Sequence, residues 1–140
     1  MRAVGLDLGE RRIGVAVSDG AGITAVPHGT IERSGDPAAD HRAIAALVDE
    51  LGATGVVVGL PLSLDGSQGP AARRAEAEAM ALGAVLNVPV DVVDERFTTV
   101  TANRSLAGAG VRGRARRYKV DEVAATVLLQ TWLDGRRRAS

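Results

Sequence analysis

Residues 3–17 read AVGLDLGERRIGVAV: two apolar, β-branched runs around a short polar break, the pattern of a β-hairpin turning at Gly9-Glu10. Side chains alternate along a strand, so Val4, Leu6 and Leu8 share one face of the first run and Ala3, Gly5 and Asp7 the other. A carboxylate thus sits inside a run where a core strand is apolar. Out of water, an ionised carboxylate is costly unless something positive compensates it.

Working outward, ITAVPHGTI at 23–31 is a third strand, and Pro27, which lacks a ladder donor, predicts an edge or a bulge there. The stretch SGDPAADHRAIAALVDELGA at 34–53 is a helix. Asp36 is its N-cap, Pro37 its first residue and Gly52 its stop, with Ile44, Leu47, Val48 and Leu51 as the buried stripe. GVVVGLP at 55–61 is a continuous apolar run, the mark of a strand covered on both faces. Residues 70–86 form an Ala-rich helix, NVPVDVVDER at 87–96 supplies a fifth strand, and helical segments follow at 97–107 and 119–134. The order β-β-β-α-β-α-β-α-α predicts one α/β domain over residues 1–140. Its mixed five-stranded sheet has three antiparallel strands plus two parallel ones, with helices on both faces.

The chain has no cysteine, which excludes disulfides, thiolate metal sites and a cysteine nucleophile. No apolar run is long enough to span a bilayer and no leader is evident, so the expected location is cytoplasmic, without a membrane partner. Net charge is zero but unevenly spread: residues 1–103 carry eight basic against fourteen acidic residues, and 104–140 nine against three. That asymmetry suggests a polyanionic partner read by one part of the molecule. Gly108, Gly110 and Gly113 spell G-x-G-x-x-G, but no strand precedes them. The segment reads instead as a loop carrying Arg112, Arg114, Arg116 and Arg117 to phosphates, with Lys119 completing the basic cluster at the start of the last helix. Three aromatic residues are too few for base-stacking recognition of single strands.

Sites in α/β sheets gather at the C-terminal ends of parallel strands. Asp7 lies near the end of strand one, Asp94-Glu95 end strand five, and Asp121-Glu122 open the last helix. If that helix packs beside strand one, acids from three remote parts of the chain meet. A site of carboxylates without His or Cys is hard and oxygen-rich, suited to Mg²⁺ or Mn²⁺. Each acid also has a plainer reading, since helix first turns favour negative charge and strand ends carry polar loops. Gly5 and Gly9 flank Asp7 and would allow close approach of a metal-bound phosphate.

Four blocks occur in order: GLDLGERRIGVAVSD at 5–19, VVGLPLSLDG at 57–66, DERFTTVTA at 94–102 and KVDEVAATVLLQ at 119–130. They resemble the YqgF/RuvX family of RNase H-like bacterial nucleases, described as Holliday junction resolvases or pre-16S rRNA nucleases. The resemblance covers essentially the whole chain. It implies that Asp7, Glu95 and Asp121 are the catalytic, metal-holding acids of an endonuclease for structured nucleic acid, with Asp94, Glu122 and Asp19 as candidates for a fourth. It favours processing of the 5′ end of pre-16S rRNA in ribosome biogenesis. The alternative is Holliday junction resolution in DNA recombination and repair, where symmetric cutting would suit a homodimer. A third reading is a non-catalytic RNA- or ribosome-binding protein. Arg11, Arg12 and Arg96, close to the acids, join the basic cluster as candidate phosphate contacts. GLDLG also resembles the first phosphate loop of sugar kinases, which need a second domain to close over a nucleotide.

Overall fold

Alternating apolar residues build a five-stranded sheet of order β3-β2-β1-β4-β5. The structure, a computed structural model, describes residues 1–63, 65–97 and 113–139, with side chains for all of these except 97, 113–120 and 139. The strands are β1 (Ala3–Leu8), β2 (Arg12–Ser18), β3 (Ala25–Glu32), β4 (Gly55–Leu60) and β5 (Val90–Asp94), and the helices α1 (Pro37–Leu51), α2 (Pro70–Val85) and α3 (Gly113–Ala139). A 3₁₀ turn, Glu95–Phe97, follows β5. As expected, β1-β2 and β2-β3 pair antiparallel, and β1-β4 and β4-β5 pair parallel. Pro27 lies on the edge strand, beside a register shift between Val15 and Ala16. The predicted helix at 97–107 lies outside the described residues beyond its first position.

The two faces of β1 divide as the alternation predicts. Val4 and Leu6 join Ile44 and Val48 of α1 and Ala79 and Leu82 of α2 in one core. Ala3 joins Val57 and Ala125, Leu129 and Leu133 of α3 in the other. Helix α1 begins where its cap requires, the Asp36 carboxylate accepting from Ala38 N at 3.1 Å, and stops at Gly52 with φ 66°.

Helix α3 lies unusually close to the sheet because the residues beneath it lack side chains. A Cβ on Gly5 would stand 2.8 Å from Leu129 Cβ, and one on Gly14 only 2.1 Å from the Asp121 carbonyl oxygen. Gly5 thus serves helix packing rather than access for a phosphate, and Gly9 forms the tight turn, its N–H donating to Arg12 O at 3.0 Å. Gly14→Ala should cost about 3 kcal/mol, the upper end for overpacking, since backbone cannot yield as a side-chain tip would. Gly20→Ala, with nothing within 4 Å, should change stability by less than about 0.5 kcal/mol. Urea unfolding of the two variants checks the contrast.

The last helix begins six residues earlier than its apolar pattern suggests. Arg114, Arg116 and Arg117 therefore belong to the opening turns of α3 rather than to a loop, Lys119 is helical as expected, and Asp121 and Glu122 lie well inside the helix. The segment, GRARRYK at 113–119, is rich in arginine and lysine, good helix formers that leave no apolar stripe to read. Arg112 lies outside the described residues. No helix among them is long and apolar enough to cross a membrane.

Candidate functional site

Parallel pairing brings the C-terminal ends of β1, β4 and β5 to one edge of the sheet, and a cleft of about 860 Å³ opens there. Asp7 enters it from β1, Glu95 from the turn after β5 and Asp121 from α3. Asp7 is 5% exposed and stands opposite Gly14 of β2. Glu95 lies over Gly59 of β4: a Cβ there would come within 2.7 Å of Glu95 Oε1 and within 2.7 and 2.9 Å of the Leu128 methyls. Gly59 thus leaves the room in which the Glu95 carboxylate and α3 meet.

Asp121 is held by β2. Arg12 Nε donates to Asp121 Oδ2 at 3.2 Å, with both side chains largely buried. This guanidinium is placed on an acid of the cleft rather than at the surface, whereas Arg11 is exposed and does not line the cleft. Arg96 is also engaged internally: its Nε and Nη2 donate to Asp94 Oδ2 at 3.0 and 2.6 Å. That contact holds the Asp94 carboxyl below the usual carboxylate range.

None of Asp94, Glu122 and Asp19 lines the cleft. Asp19 instead accepts from the Ile23 and Thr24 amides at 2.8 and 3.2 Å, closing the β2-β3 turn. The acids that join the first three are Glu10, Asp40 and Glu78. Among the described residues, six carboxylates therefore face the cleft against two arginines, Arg33 and Arg74. Such a wall repels phosphate and attracts cations.

Sequence reasoning missed the second group along this wall. Arg33 forks onto Glu78 at 2.6 and 2.8 Å, donates through Nε to Gly9 O at 2.9 Å, and shares Glu78 with His41, whose Nε2 lies 2.9 Å away. Burial alone would push the Glu78 carboxyl up; hydrogen bonds and charge from Arg33 and His41 outweigh it and hold the pKa down. A signal was present, because His41 precedes Ile44 by three and Glu78 precedes Leu82 by four, placing both on buried stripes. At the rim, Arg74 reaches Glu10 at 3.3 Å in an exposed pair, a kind worth little in water.

The donor set suits a hard cation. Among the described residues no three Asp, Glu or His side chains close into a cage, so the acids form an open wall. Mg²⁺ commonly binds to such walls, through one or two carboxylates while keeping waters and substrate oxygens. Asp7, Glu95 and Asp121 are the acids of this wall that could hold it.

Comparison with known proteins gives a consistent picture. The family model described as "RuvX: Holliday junction resolvase" matches residues 1–135. A Mycobacteroides abscessus protein is 49% identical over 138 residues, covering 98% of this chain and 83% of its own length. One from Myxococcus xanthus is 47% identical over 137 residues, covering 98% and 90%. Both carry the name "Putative pre-16S rRNA nuclease". Among solved structures, T. thermophilus RuvC in complex with Holliday junction substrate superposes with a TM-score of 0.60 at 17% identity, over 98% of this chain and 96% of that one. At that identity the likeness concerns the fold, which is RNase H-like.

Proposed function

The chain belongs to the RuvX family of nucleases, and on that premise we propose that it is a divalent-metal-dependent endonuclease that trims the 5′ end of pre-16S rRNA. The observation that carries the reading is that Asp7, Glu95 and Asp121, from three remote parts of the chain, all line one acid-rich cleft. A water oxygen bonds to phosphorus as the bond from phosphorus to the 3′-oxygen breaks, and the proton lost by the water is balanced by one gained at the leaving oxygen, giving a 5′-phosphate and a 3′-hydroxyl. Bound Mg²⁺ or Mn²⁺ supplies an acidified water and charge stabilisation for the attacking and leaving oxygens.

The chain's own residues do the rest. The rigid ends of β1 and β5 and the close seat of α3 fix the three carboxylates relative to the scissile phosphate. Arg74 can exchange its weak pairing with Glu10 for a backbone phosphate at little cost. Arg114, Arg116, Arg117 and Lys119, in the turns of α3 that lead to Asp121, belong with Arg74 as contacts to backbone phosphates. Arg112 belongs with them, and Arg11 adds exposed charge beside the β1-β2 turn. The work is placed in the cytoplasm, where precursor rRNA is made.

The relatives' names favour the RNA substrate, while the family description and the fold shared with RuvC support a second reading, resolution of a Holliday junction. Trimming an RNA end needs one cleft; symmetric cutting of a junction needs two, so a homodimer belongs to the second reading. Cleavage assays on a pre-16S rRNA fragment and on a four-way DNA junction, in Mg²⁺ and in Mn²⁺, separate them. We expect the RNA to be cut at its 5′ flank; cutting of the junction alone would reverse the assignment. Binding of either without cleavage in any metal would leave a non-catalytic RNA- or ribosome-binding protein.

A further inference from the structure

We infer that Arg12 is a positioning residue for Asp121, and that its part in the reaction is to aim a metal-holding carboxylate rather than to grip nucleic acid. The inference rests on the metal reading of the three acids given above.

Arg12 and Gly14 are two residues apart on β2 and so share a face of the strand. Gly14 lets the Asp121 backbone settle directly on β2, where even a methyl group would stand 2.1 Å from its carbonyl oxygen. Arg12 takes the side chain of the same residue, its Nε donating to Oδ2 at 3.2 Å across 109 residues of sequence. One strand therefore fixes both the main chain and the carboxylate of Asp121. The Nε contact is made to one oxygen, Oδ2, and the residue still lines the cleft. That is the arrangement expected when a partner outside the coordination sphere fixes the orientation of a ligating carboxylate.

Burial and charge favour this role over phosphate binding. The Arg12 side chain is 14% exposed, whereas that of Arg74 at the rim is 63% exposed. With six carboxylates on the cleft wall, an ion-free cleft would tend to spread, and a guanidinium against Asp121 offsets part of that repulsion. Arg12 thus keeps the acid in place before any ion arrives.

The test uses the full chain and Mn²⁺ as the probe, its binding followed by the paramagnetic resonance signal of the free ion. Arg12→Gln should weaken Mn²⁺ binding by about tenfold or more, within the range for partners that orient metal ligands. Arg12→Lys should recover part of the loss, since it keeps the charge but not the directed Nε contact. In chelator, the salt dependence of binding to the RNA fragment should be unchanged by Arg12→Gln, whereas loss of a phosphate contact would lower the slope by about one. Asp7→Asn serves as the reference. If it binds Mn²⁺ as the parent does, the metal reading fails and this inference with it. If Asp7→Asn loses Mn²⁺ while Arg12→Gln keeps parental affinity, or lowers the salt slope instead, only the role of Arg12 is overturned. Should Arg12→Gln not fold, Arg12→Lys carries the same comparison.

Discussion

Asp7→Asn should fold as the parent does and lose cleavage by on the order of a thousandfold, the rate equivalent of about 4 kcal/mol of transition-state stabilisation. Its position dictates both halves of this result. Asp7 is 5% exposed, lies inside β1 opposite Gly14 and faces the cleft edge shared with Glu95 and Asp121. Asparagine keeps the shape and one acceptor oxygen, so the packing of β1 between its neighbours survives. The cleft wall meanwhile loses one of its six carboxylates. Repulsion among buried charges falls, and the thermal midpoint should hold or rise. Cleavage of the RNA fragment in Mg²⁺ or Mn²⁺, measured beside thermal unfolding, checks both halves. Parental cleavage by this variant would sink the three-acid reading, and a large fall in midpoint would make Asp7 a structural residue.

The sheet was legible because its signals are local or follow from chain order. Val4 and Leu6 alternate with Ala3, Gly5 and Asp7, the GVVVGL run has no polar face, and Asp36, Pro37 and Gly52 mark the ends of α1. Crossover geometry then places β1, β4 and β5 parallel, which is enough to bring Asp7 and Glu95 to one edge. What sequence could not supply were the partners across long separations. Arg12 beside a polar turn reads as a phosphate contact, but its Nε donates to Asp121 on the last helix. Gly5 beside an acid reads as room for a ligand, yet the space is taken by Leu129. The start of α3 was hidden for a different reason: residues 114–119 favour helix by propensity but show no apolar period.

Glu78→Ala should cost about 3 kcal/mol at neutral pH, lowering the thermal midpoint by about 10 °C. The carboxylate is 17% exposed and accepts from both arms of Arg33 and from His41. Since an ionised carboxylate can only accept, His41 Nε2 carries the shared proton. Removing Glu78 strands a largely buried guanidinium and a buried imidazole together, and loosens the element that Arg33 secures through Gly9 O, two residues beyond Asp7. The loss should depend on pH in one direction. The folded-state pKa of Glu78 lies below the ordinary glutamate value of 4.5, so its contribution is complete above that value and fades as pH falls through the folded pKa. The gap between parent and variant should therefore narrow as pH falls below that value. Urea unfolding followed by the fluorescence of the single tryptophan, Trp132 on α3, measures that gap at each pH. A gap below about 1 kcal/mol at neutral pH would reduce the cluster to an ordinary surface pair. A gap that stays constant well below pH 4 would mean that the cost comes from lost packing rather than from the ionised carboxylate.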